Sequence, residues 1–257
     1  MQRAFAELLL IGLAGGALGC WILFYGLSYN TESLTHALFP GLVFAVLLGL
    51  PLVLGGAIGL LIAAVAIAAT GRVPEIGRDT AVAVVVTTLF GAGVLVALSS
   101  STPPGIQELL FGDIFAVSNA DLLLAAALVA VVLVGLRLLH GQLLAVGFDR
   151  SRAPTLGGRP MLVETAVLVL LALAILVAVQ GLGNLLIVAV LVGPAATARL
   201  LVDRMPQMML AATLLTVFVG ASGLCLSYYA GTAGGASVAG VMVVVYLIVR
   251  GLLALSR

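Results

Sequence analysis

The residues with the clearest chemical potential form one short run, Glu32-Ser33-Leu34-Thr35-His36, continued by Ala37-Leu38-Phe39-Pro40-Gly41. On a helix, Glu32 and His36 stand one turn apart and share a face. A carboxylate with an imidazole is half a site for a borderline divalent ion such as zinc or manganese. The competing reading is a capping cluster at a helix start, with a satisfied interfacial histidine. Pro40 removes a backbone hydrogen bond and Gly41 admits a second backbone, so an irregular, cavity-lining helix is expected here. The pair Gly193-Pro194 repeats the same device late in the chain.

The remaining candidates are scattered. Glu7 and Glu164 read as interfacial anchors near span ends, and Glu108 and Asp113 as acidic groups at an outer mouth. His140 beside Arg137 reads as a surface residue. Gln180, Asn184, Thr197 and Ser222 are polar groups suited to bridging helices. Tyr228 and Tyr229 read as an aromatic anchor at a membrane interface. Cys20 and Cys225 lie in apolar runs and read as small buried hydrophobes. No phosphate loop, nucleophile elbow or His-Glu-x-x-His motif occurs, so any ATP hydrolysis must come from a separate subunit.

The elements holding these residues follow from composition. Of 257 residues, 63% are hydrophobic and 8% charged, and the mean hydropathy is +1.32. Soluble domains carry roughly 25% charge, and disorder requires low hydrophobicity, so both classes are excluded. The formal charge of +1 gives no reason to expect a nucleic-acid partner. The start lacks a basic region and a cleavage site, so the first apolar run is expected to be retained. The chain reads as an all-α polytopic membrane protein whose environment is the lipid bilayer.

Apolar runs set against charges and breakers give nine spans, at about 5–25, 35–51, 52–70, 80–99, 121–139, 162–180, 183–201, 207–227 and 237–254. The second and third meet at Gly49-Leu50-Pro51, where merging them would return eight. With the N-terminus outside and the C-terminus inside, ten of the eleven arginines fall on the inner side and only Arg3 outside. That is the positive-inside pattern. Four spans, a linking span and four more give two oppositely oriented groups, a common transporter plan. Repeat one covers about 5–99, the linking helix about 121–139, an inner segment about 140–160, and repeat two about 162–254. Pro40-Gly41 and Gly193-Pro194 fall on the second span of each group, where pathway helix breaks are expected. The outer segment near 106–118 reads as a short amphipathic helix across the mouth.

Side by side, these stretches resemble the permease subunits of the bacterial zinc/manganese/iron ATP-binding-cassette uptake transporters, almost end to end. The resemblance is carried by the run from Glu32 to Gly41, the run from Glu108 to Ser118, Gly147-Phe148-Asp149, and the run from Asn184 through Gly193-Pro194 to Arg199. It implies a plasma-membrane permease working as a homodimer, with cytoplasmic ATPase subunits and an extracytoplasmic metal-binding protein. The transported ion would be Zn2+ or Mn2+, with Fe2+ as a third choice, and would pass the Glu32/His36 pair. Coupling to the ATPase would fall on Phe148, Asp149, Arg150 and Arg152, and the outer gate on Glu108 and Asp113. Family members commonly carry Asp where this chain has Glu32, and basic residues where it has Tyr25–Asn30. The alternatives to this reading are a secondary metal transporter without an ATPase and a permease for a metal chelate.

Overall fold

The computed structural model describes residues 2–70, 78–99, 112, 114–149, 159–184 and 186–255. Among them are nine helices and no strand: α1 (Gln2–Phe24), α2 (Ser28–Leu48), α3 (Leu52–Thr70), α4 (Arg78–Ala97), α5 (Asn119–Phe148), α6 (Pro160–Leu182), α7 (Ile187–Leu201), α8 (Met205–Ala230) and α9 (Gly234–Leu255). Seven are long and apolar enough to cross a bilayer, while α3 over Leu52–Ala66 and α7 are shorter apolar helices. Gly49 ends α2 in the left-handed conformation at φ 67°, and Leu50 and Pro51 separate it from α3. The merged, eight-helix alternative therefore falls away.

The packing has a centre and two flanks. Helix α1 lies against α5, α6, α7 and α8. Helices α2, α3 and α4 pack on one another, and so do α7, α8 and α9. These matched trios are the second to fourth members of each expected four-helix group. Close approach rests on glycine: a Cβ on Gly16 would stand 2.6 Å from the Cα of Thr213 in α8, and one on Gly19 would meet the Leu191 carbonyl of α7. Small residues substitute for the hydrophobic force that lipid withholds from helix association. The outward faces are apolar, with Leu61, Leu95, Leu138, Leu210 and Leu247 all exposed. A soluble protein rarely presents so continuous an apolar exterior.

Three sequence expectations are corrected. Helix α2 begins at Ser28 rather than near 35, with Leu27 at the N-cap position and no side-chain cap. Glu32 and His36 therefore lie inside the helix, and the capping-cluster reading fails. The helix carrying the linking span runs 30 residues from Asn119 to Phe148, well beyond 139. Its start is fixed by a capping box in which the Asp121 N–H donates to Ser118 Oγ at 3.2 Å and the Ser118 N–H to Asp121 Oδ2 at 3.0 Å. Finally, α2 and α7 run unbroken through Pro40 and Pro194. Proline costs a helix one backbone bond, and both helices continue through that loss.

Candidate functional site

Helix α2 positions the acid–imidazole pair. His36 Nε2 lies 3.9 Å from Glu32 Oε1, with the side chains 25% and 57% exposed respectively. The carboxylate thus faces open space while the imidazole is tucked into the helix packing. His36 Nδ1 is buried without a hydrogen-bond partner among the described residues. The ring sits on Phe90 of α4, centroids 4.5 Å apart, and Phe90 in turn meets Phe39 at 5.4 Å. Phe90 sets the orientation of the ring, a role that sequence spacing does not reveal. The neighbouring hydroxyls are satisfied locally: Thr31 donates to the Leu27 carbonyl at 3.1 Å and Thr35 to the Thr31 carbonyl at 2.8 Å. Both bonds return to carbonyls of the preceding turn and reach no other helix.

One turn further on, Gly41 does something other than break the helix. A Cβ there would meet the Gly55 carbonyl and approach the Gly59 Cα to 2.8 Å. Gly93 of α4 closes on the other side, its Cβ position 3.1 Å from the Cα of Pro40. The α2 backbone is therefore held between α3 and α4 by three glycines, and this contact fixes the height and rotation of His36. Gly41→Val should cost about 1–3 kcal/mol through overpacking. A lowered Tm of the detergent-solubilised chain checks it, and an unchanged Tm would contradict the close approach.

The matching device in the second trio is weaker. A Cβ on Gly193 would stand 2.8 Å from Met242 Cγ, a flexible side chain, and the Thr197 hydroxyl donates to the Gly193 carbonyl at 2.9 Å. Pro194 is buried in α7. No ligand-bearing side chain accompanies this pair as His36 accompanies Pro40.

The other sequence candidates divide. Phe148 is the last residue of α5 and is 80% exposed, and the Asp149 N–H donates to the Ala145 carbonyl at 3.4 Å. Glu108, Asp113, Arg150 and Arg152 lie outside the described residues, as does most of the 106–118 segment. His140 is not a bare surface group, since its ring stacks edge-on against the buried Trp21 at 5.5 Å. Glu7 is the largest miss: instead of anchoring at an interface, it is fully buried. Among the described residues no group of three or more His, Cys, Asp or Glu side chains is arranged to hold a metal ion. A closed structural zinc site is thus absent from this part of the chain, and the polar groups are sparse.

A helical bundle with an apolar exterior and few interior polar groups defines a polytopic membrane protein. The chain belongs to the ABC 3 transport family, whose family model matches residues 1–252. It is 31% identical over 239 residues to the manganese transport system membrane protein MntC of Halalkalibacterium halodurans, covering 93% of this chain and 82% of that protein. It is 30% identical over 248 residues to the manganese import system permease protein ScaB of Streptococcus parasanguinis, covering 96% and 89%. The solved structure of PsaBC from Streptococcus pneumoniae in complex with Fab matches with a TM-score of 0.90 at 28% identity, over 96% of this chain and 90% of that one. The resemblance read from the sequence motifs is thereby shown as family membership.

Proposed function

We propose that this chain is the membrane permease of an ATP-driven importer of divalent transition-metal ions, with manganese favoured over zinc and iron. The observation that carries the site is the Glu32–His36 pair, held on one helix face by Phe90 and the Gly41 contact. The near full-length likeness to two proteins named for manganese transport supports the cargo.

The pair suits passage better than storage. A divalent ion entering an apolar bundle loses its hydration at large cost, so some ligation must be offered. Conduction also requires that the ion leave, which a complete four-ligand cage would prevent. One carboxylate and one imidazole from each of two symmetry-related copies would supply enough donors at a dimer axis and release them as the copies move apart. In this reading, a metal-loaded extracytoplasmic protein docks over the outer segments carrying Glu108 and Asp113. Cytoplasmic ATPase subunits engage Phe148, Asp149, Arg150 and Arg152, and their cycle switches access from outside to inside. The arginine bias puts the N-terminus outside and the C-terminus in the cytoplasm of a bacterial plasma membrane.

The test is uptake into proteoliposomes containing this chain, its ATPase and its binding protein, with Mn2+, Zn2+ and Fe2+ offered in turn. Accumulation of Mn2+ that requires ATP and all three components is the expected result. Uptake by the chain alone under an ion gradient would overturn the ATP-driven reading.

A further inference from the structure

Glu7 stands in the second turn of α1 with its side chain 0% exposed, and neither carboxylate oxygen has a hydrogen-bond partner among the described residues. Its Cγ lies 3.5 Å from the point that a Cβ on Gly181 would occupy, and Ile114 crowds that same point at 3.3 Å. Gly181 and Leu182 end α6, whose last turn contains no basic residue. The last carbonyls of a helix have no partner within it and carry the negative end of its dipole. Asp121, at the start of α5, adds like charge from nearby. Gly112 also meets this helix end, since a Cβ built on it would collide with Gly183 N and the Gly181 carbonyl.

Three residues beyond Gly181, Asn184 is also 0% exposed, with both amide atoms unpartnered. Two buried polar side chains at one end of the bundle are therefore without a partner among the described residues, which folded proteins rarely tolerate without a ligand, a water or an unusual purpose. The acceptors that the site offers are a carboxylate, an amide oxygen and helix-terminal carbonyls, and the Asn184 amide nitrogen is an unpartnered donor beside them among the described residues. No cationic side chain forms an ion pair with Glu7 among the described residues. Oxygen donors without sulfur or imidazole select hard cations.

We propose that Glu7, Asn184 and the terminal carbonyls of α6 form a second cation site that takes a hard divalent ion, separate from the Glu32–His36 pair. The site stands on burial and chemistry alone, whereas its assignment to the outer end of the bundle rests on the orientation proposed above. There it would hold an ion before the ion reaches α2, or brace α1 against α6 while the outer end is closed.

The experiment uses the full chain in detergent, carrying His36→Ala so that the pathway pair cannot contribute, with Mn2+ as the probe. Intrinsic fluorescence of the single Trp21 follows unfolding. A ligand that binds only the folded state raises Tm in a saturable way. Mn2+ and Ca2+ are expected to raise Tm in the His36→Ala chain, and adding Glu7→Gln should abolish the rise. Asn184→Asp should shift saturation to lower Mn2+, which keeps the proposal testable should the Glu7 variant fold poorly. An equal rise with Glu7→Gln, no rise in the His36→Ala chain, or an unmoved saturation point with Asn184→Asp would overturn it. Failure here would leave Glu7 as a buried carboxyl of the helix packing and would not touch the transport reading, which uptake through His36 decides.

Discussion

His36→Ala is expected to reduce metal uptake at least about tenfold while the chain still assembles, since even groups behind a metal ligand change affinity or activity by 10–100-fold. The separation of the two effects follows from the geometry. The buried Nδ1 of the imidazole has no hydrogen-bond partner among the described residues, and Nε2 is 3.9 Å from Glu32, too far for a hydrogen bond. Removing it therefore takes away ring contact with Phe90 and little polar structure. The close packing of α2 on α3 lies a full turn away at Gly41 and is left alone. The decisive comparison sets uptake against the elution profile of the purified complex. Glu32→Gln should give a smaller loss, because the exposed carboxylate sheds a charge and keeps an oxygen donor. Wild-type uptake by the His36→Ala transporter would remove this pair from the pathway.

What the sequence made legible and what it hid divide along a physical line. Segments announce themselves through hydropathy, so the nine helices among the described residues were readable, down to the break at Gly49-Leu50-Pro51. The spacing of Glu32 and His36 requires only a helical repeat, and the helix is there. Helix ends were harder. Nothing marks Ser28 as a start, because Leu27 offers no side-chain cap. The polar residues Arg137, His140 and Gln142 hid the continuation of α5, which in fact runs past the end of the expected span.

Neighbours were hidden altogether. In a chain with most of its surface apolar, periodicity does not say which face meets protein and which meets lipid. The sequence says that Gly41 admits a second backbone, as it does, but not that the backbone is that of α3. Glu7 reads as an anchor because charges near helix ends usually reach water, and it is covered because α6 and Ile114 close over it. Phe90, one among many phenylalanines, acquires a role only once α4 is laid against α2.

Phe148→Ala should leave the permease folded and uncouple it from ATP. At 80% exposed, the ring contributes little burial to this chain, and its edge-on contact with Phe24 at 5.8 Å is its one aromatic neighbour among the described residues. A large aromatic at the end of a 30-residue helix, open to the inner side in the proposed orientation, has the form of an interface anchor. Truncating such an anchor commonly costs 2 kcal/mol or more of binding, about thirtyfold in affinity. ATP-dependent uptake and transport-stimulated ATP hydrolysis should fall together by about that factor, and co-purification of the ATPase should weaken in step. The Tm of the isolated permease should hardly move, in contrast to Gly41→Val, which acts on the fold. Arg150 and Arg152 follow within four residues in sequence, so charge reversal there should deepen the loss if the ATPase contacts them as well. Unimpaired ATPase binding by the Phe148→Ala chain would place the coupling contact elsewhere on the inner surface.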